Sequence, residues 1–200
     1  MTVRVVRESP STLAEYARVS IAFDADRVLE VSPRAHGGGF DVAERASAVG
    51  RKDYDELPNE GPESWPHRFD VSAWALFAAY DGDVRVGGAA VVVDALDVDM
   101  LEGRDDLALL WDIRVAPEWR GQGVGSALMR AVERFALAAR CTCLKVETQD
   151  INVPACRFYM RNGFELRAAV RGAYPTFPEE TMLLWYKQLG SVLSATPRRR

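Results

Sequence analysis

The chain has 200 residues, 48% of them apolar and 27% charged, a balance that fits one globular domain able to bury a core without disulfide or metal staples. Its net charge of −4 tells against a general nucleic-acid or anionic-membrane binder. An odd count of cysteines (Cys141, Cys143, Cys156), no signal-like apolar start and no apolar run of membrane length predict a soluble, cytoplasmic protein with reduced thiols.

In chain order, "TVRVVRE" (2–8) alternates as a first strand, and "SPSTLAEYARVS" offers Ser9 and Pro10 as cap and first turn, with Thr12 and Glu15 as a capping box. Residues 21–70 show no usable period; their glycines and prolines predict irregular chain, a surface excursion or a substrate loop. "AWALFAAY" and "VRVGGAAVVV" flank Asp81 and Gly82 as a hairpin. "LALLWDIRV" is an apolar strand stopped by Pro117, and from Val124 apolar residues recur at helical spacing to about Arg140. Then follow the strand "CLKVETQ", the helix "VPACRFYMRN" with Gly163 as its C-terminal cap, and the strands "FELRAAV" and "TMLLWYKQL". The order gives an α/β protein, a strand-rich N-terminal half joined to β-α-β-α-β-β around one sheet. One domain is expected over residues 1–190 and a flexible tail over 191–200, whose three arginines read as a solvated end.

The densest chemical signal is "EWRGQGVGSALM" between strand and helix, where Gly121, Gly123 and Gly125 let backbone approach an anion at a helix N-terminus. No lysine follows the glycines, which excludes a P-loop, and Ser126 stands where a dinucleotide fingerprint needs its third glycine. A pyrophosphate seat remains. "HGGGF" (His36 onward) resembles an esterase oxyanion loop, but the chain has no Gly-x-Ser-x-Gly elbow, so it reads as a flexible turn. "CTC" lacks nearby histidines, His36 and His67 being far upstream, so buried structural thiols and no metal are expected. Cys156 likewise has no neighbouring histidine to activate it as a nucleophile.

"IRVAPEWRGQGVGSALM" followed by "NVPACRFYMRNGFEL" resembles the two ordered hallmarks of the GNAT superfamily of acetyl-CoA-dependent N-acetyltransferases. Within it, "ETQDINVPACRFYMRNGFEL", Tyr174 and "FPEE…WYK" are most similar to streptothricin acetyltransferases. The resemblance implies a single mixed central sheet flanked by helices, with the strands near 107–115 and 143–149 splayed to admit acetyl-CoA as co-substrate. It implies cofactor contacts from Ile113, Val115, Arg120, Gly121, Gln122, Gly123, Val124, Gly125, Ser126, Asn152 and Tyr159. A Val115 N–H would act as an oxyanion donor. Tyr159 would protonate the leaving thiolate, a phenol of pKa about 10 being suited to that task; Asn152 serves equally well as a helix N-cap. Glu147 and Asp112 are the two candidate bases, and Trp111 and Tyr174 the candidate walls of an acceptor pocket. The implied reaction is direct attack of a small-molecule primary amine in a ternary complex, with a streptothricin-like antibiotic among the acceptors. A protein or peptide acceptor, a non-catalytic acetyl-CoA sensor and a homodimer stay open.

Overall fold

Nine strands and three helices form a seven-stranded sheet and a separate two-stranded ribbon in the computed structural model, which describes residues 3–35 and 37–190. The tail expected at 191–200 and His36 lie outside the described residues. The strands are β1 (Arg4–Glu8), β2 (Phe23–Pro33), β3 (Phe40–Lys52), β4 (Ala75–Asp81), β5 (Val84–Val92), β6 (Leu107–Val115), β7 (Cys143–Gln149), β8 (Glu165–Arg171) and β9 (Thr181–Gln188). The helices are α1 (Leu13–Ala17), α2 (Val124–Ala138) and α3 (Val153–Arg161). In the main sheet the order is β1-β4-β5-β6-β7-β9-β8, with only β6 and β7 parallel.

The expected β4–β5 hairpin forms, turning at Gly82, whose φ of 56° suits a residue without Cβ. The helical periods at 124–138 and 153–161 are the faces that α2 and α3 bury: Leu128, Met129, Val132, Val153 and Cys156 join Leu110, Leu144 and Val146 in one core layer. The opposite face of the sheet is covered by α1 and the 3-10 turn at Pro62–His67, whose Tyr16 and Trp65 pack on Leu76, Leu107 and Leu109. Tyr16 lies directly on Gly88, where a Cβ would come within 2.4 Å of its ring.

Two local expectations fail. The Thr12/Glu15 capping box does not form: Ser9 caps a 3-10 turn instead, and the Thr12 hydroxyl donates to the Glu8 carboxylate. Residues 21–70 are not irregular throughout, because β2 and β3 make a long antiparallel ribbon. β2 buries Phe23, Ala25 and Leu29, whereas β3 is exposed along most of its length, and ion pairs such as Arg45–Glu30 and Arg27–Glu44 tie the two strands.

Two irregularities position the site. Between Ala90 and Val91 the β5–β6 register shifts, leaving Trp111 as an extra residue on β6. Leu107, Leu109 and Trp111 therefore pack on the α1 face, and beyond the bulge Asp112 and Arg114 reach Tyr16 on that same face. Second, β6 and β7 pair only from Leu107–Leu110 to Cys143–Val146. Past those residues each turns to a different neighbour, and the sheet forks as the resemblance implied.

Candidate active site

A cleft of about 1010 Å³ occupies the fork. Ala116 N–H donates to Val86 O (3.0 Å), so by antiparallel alternation Arg114 and Asp112 turn their backbone groups to β5 while Ile113 and Val115 turn theirs into the gap. The loop after β6 is closed by side chains. Arg120 Nε donates to Val115 O (2.9 Å), another Arg120 nitrogen to Ser20 O (3.2 Å), and Gln122 Nε2 to Glu118 O (2.7 Å). Gln122 thus stabilises the loop and does not line the cleft.

Gly121 and Gly123 sit at φ 75° and 87°, and a Cβ on either would meet no protein atom within 4 Å. The loop therefore faces open space with bare backbone. The first helical bond of α2 runs from Ala127 N–H to Gly123 O, which leaves the N–H groups of Val124, Gly125 and Ser126 pointing out of a positive helix end. That cradle fits a pyrophosphate. Val124 offers only its N–H, since its side chain is core. At Gly125 a Cβ would press on the Phe158 ring at 3.1 Å, so glycine lets α2 and α3 close together.

Asn152 caps α3, its Oδ1 accepting from Ala155 N–H (3.2 Å), which leaves its amide nitrogen for the cleft it lines. Tyr159 also lines the cleft, its ring packed between Phe158 and Phe164. Burial, and then the charge of Asp112, push its phenol well above the ordinary value, so it stays protonated at any working pH.

The two candidate bases differ sharply. Asp112 has both oxygens committed: Oδ1 accepts from Tyr16 O–H (2.5 Å) and Arg114 Nε (2.9 Å), and Oδ2 from a second Arg114 nitrogen (2.8 Å). Arg114, whose side chain is fully buried, also holds Asp55 at 2.7 Å. Burial works against the Arg114 charge, and Asp112 more than restores it. The Asp112 carboxylate is thus tied to α1 and to Arg114 through both of its oxygens. Glu147 stands where β6 and β7 part, lines the cleft, and accepts one hydrogen bond on Oε1 from Tyr174 O–H (2.6 Å). Burial, then the Glu147 charge, raise the Tyr174 phenol far above its usual range, which keeps it a donor.

Trp111 and Tyr174 both line the cleft, and Trp111 also packs edge-on to Trp65 and Phe69. Sequence reasoning missed the rest of this wall: Tyr54 and Asp55 from the turn after β3, Trp65, and Phe177 and Glu180 from the β8–β9 connection. The "FPEE" segment was the one signal pointing there. Among the described residues no group of His, Cys, Asp and Glu could hold a metal, and no helix is long and apolar enough to cross a membrane.

The model of the acetyltransferase (GNAT) family matches residues 44–164. Streptothricin acetyltransferase of Escherichia coli is 28% identical over 151 residues, spanning 74% of this chain and 76% of that one. Streptothricin acetyltransferase A of Bacillus subtilis (strain 168) is 40% identical over 81 residues, 40% of this chain and 47% of its own. Among solved structures, a nourseothricin acetyltransferase superposes with TM-score 0.72 at 25% identity, covering 95% of this chain and 100% of that one. A Bacillus anthracis protein solved in complex with acetyl-CoA shares the fold, with TM-score 0.75 at 18% identity over 94% of this chain and 99% of its own. The family match crosses more than half of the sequence and takes in the forked strands and the glycine cradle: the chain belongs to the acetyltransferase (GNAT) family and is an acetyl-CoA-dependent N-acetyltransferase.

Proposed function

We propose that the chain acetylates a primary amine of a cationic small molecule of the streptothricin type. The observation that carries this reading is the placement of Glu147 at the fork, on the acceptor side, with Tyr159 lining the same cleft. The names of the relatives support the antibiotic class. Walls contributed by Tyr54, Trp65 and Phe177 favour a compact acceptor over a protein chain.

Acetyl-CoA, when bound, supplies an activated thioester. The Val124, Gly125 and Ser126 N–H groups would hold its pyrophosphate, and Asn152 its arm. Val115 N–H, turned into the gap, would polarise the acyl carbonyl. Glu147 Oε2, the oxygen not taken by Tyr174, would remove the proton that an ammonium must lose before it can attack. Tyr159 O–H would donate to the departing sulfur. The uncommitted position of Glu147 and the commitment of Asp112 to Arg114 support this assignment.

The test is release of CoA thiol from acetyl-CoA with purified protein and a panel of streptothricin, polyamines and peptides. Preference for streptothricin over peptides by 10²-fold or so in kcat/KM is expected, a size that a site built for specific polar contacts supports; equal or better use of peptides would overturn it. Tyr159→Phe should lower kcat by about 10², in line with a lost proton donor, and a rate within about twofold of the parent would remove Tyr159 from that role.

A further inference from the structure

The β8–β9 connection, residues 172–180, carries Tyr174 near one end and Glu180 at the other. Two turn bonds stiffen it, Phe177 N–H to Tyr174 O (3.1 Å) and Glu180 N–H to Phe177 O (3.0 Å). Just past it, Thr181 N–H donates to the Asp150 carboxylate (3.0 Å) and accepts from Asp150 N–H (3.0 Å) on its carbonyl. The segment is therefore a short rigid arm anchored at its C-terminal end.

Glu180 is only 1% exposed. A carboxylate so buried is costly unless it is paired and hydrogen-bonded. Its partners come from the opposite jaw of the cleft, at the end of β3. Lys52 Nζ lies 2.6 Å from Oε1 and 3.7 Å above the centre of the Phe177 ring, and Tyr54 O–H donates to Oε2 (2.6 Å). An ammonium between a carboxylate and an aromatic face, with a phenol on the second oxygen, clamps the arm to the end of β3, Oε1 being held by the ion contact without a hydrogen bond. Tyr54 thus satisfies Oε2, and the Lys52 ammonium beside Oε1 compensates the charge.

The clamp acts on what the arm carries. Tyr174 is six residues before Glu180 and donates to Glu147 Oε1. We propose that Lys52, Tyr54 and Glu180 are positioning residues: by fixing the 172–180 arm to the end of β3 they hold the Tyr174 phenol on Glu147 and leave Oε2 turned to the acceptor amine. This rests on Glu147 as the base. It assigns a task to a hairpin end and a loop that lie far apart in sequence and meet at this clamp.

A double-mutant cycle reads the coupling. Glu180→Gln and Tyr174→Phe are each expected to lower kcat on the order of 10-fold, since small misplacement of a catalytic group has effects of that size or more. KM for acetyl-CoA should stay within twofold or so. The double variant should be no slower than Tyr174→Phe alone, because the clamp acts through that phenol. Lys52→Gln, which breaks the same clamp from the other jaw, should give the same non-additivity and replaces Glu180→Gln if the latter fails to fold. Additive losses, or a loss confined to KM for acetyl-CoA, would overturn the proposal. Glu147→Gln is run alongside. If it keeps the parent kcat, the base assignment fails and the positioning role falls with it; if it loses kcat while the cycle is additive, only the positioning role falls.

Discussion

The two sides of the cleft present different parts of the chain. Between β6 and the start of α2 much of the surface offered is backbone: the N–H groups of the α2 first turn, bare glycine backbone at 121 and 123, and the strand edges at Ile113 and Val115. Opposite, residues 21–70 and 172–180 offer side chains, with Asp55 (held by Arg114 of β6), Lys52 and Glu180 as buried or half-buried charges and Trp65, Tyr54 and Phe177 as faces between them. Backbone donors are fixed by the fold and insensitive to most substitutions. Charged side chains in a low-dielectric wall depend on each partner remaining in place. Under the proposed function the first side would hold the cofactor, and the second, which would meet the acceptor, could be retuned residue by residue.

Removing Arg114 should break the acceptor side hardest. Arg114→Met leaves Asp112 and Asp55 facing each other without a cation in a buried wall, and breaking such a pair costs about 3–5 kcal/mol. Urea unfolding at constant pH would measure it; a loss below about 1 kcal/mol would show that the network is better solvated than its burial implies. The sharper reading of the comparison comes from the folded fraction. It should still bind acetyl-CoA, because the Arg114 side chain makes its hydrogen bonds to Asp112, Asp55 and Val19 and none to the glycine loop.

The converse change is Gly123→Glu. A left-handed non-glycine residue costs about 1–2 kcal/mol, and the new carboxylate would enter the space kept open for phosphate. Affinity for acetyl-CoA by calorimetry should fall by at least about 10²-fold, roughly 3 kcal/mol at 1.4 kcal/mol per decade. Undiminished binding would sink the cradle. The aromatic wall of Trp65, Trp74 and Trp111 packs on itself, so it should keep its near-ultraviolet circular dichroism.

The same contrast explains what the sequence disclosed. The cofactor side is made of periodic, half-apolar elements and a glycine cluster, and such features are local, so Leu107–Val115, Val124–Ala138 and Val153–Arg161 could be outlined within a few residues. The acceptor side has no local signature. β3 is exposed along most of both faces, and its place is set by pairs such as Arg157–Glu44 and Lys52–Glu180 between residues more than a hundred positions apart. Asp112 shows the limit best. Its strand position alone could not reveal that Arg114, two residues on, and Tyr16 from α1 use up both of its oxygens. Asn152 was ambiguous for the opposite reason, since an amide has separate atoms for capping and for binding, and the cap takes only one.

The smallest expected effect concerns Cys156, which sits on α3 within the cofactor side and lines the core rather than the cleft. Burial, then the charge of Asp150, push its thiol up to about 12. A raised thiol pKa means that the reactive thiolate is absent at neutral pH and appears only as the pH climbs through that value; at pH 8 roughly one molecule in 10⁴ carries it. The folded protein should therefore resist alkylation of Cys156 by iodoacetamide at pH 8 and label only on unfolding, by mass spectrometry of the peptide. Cys156→Ala should keep kcat within about twofold, since direct attack by an amine needs no acyl-thiol on the protein. Its cost should appear in stability, as about 1 kcal/mol for a small buried side chain. Fast native labelling together with a large loss of kcat would mean that this side reacts through a side chain after all, and would erase the division between a backbone-built cofactor side and a side-chain-built acceptor side.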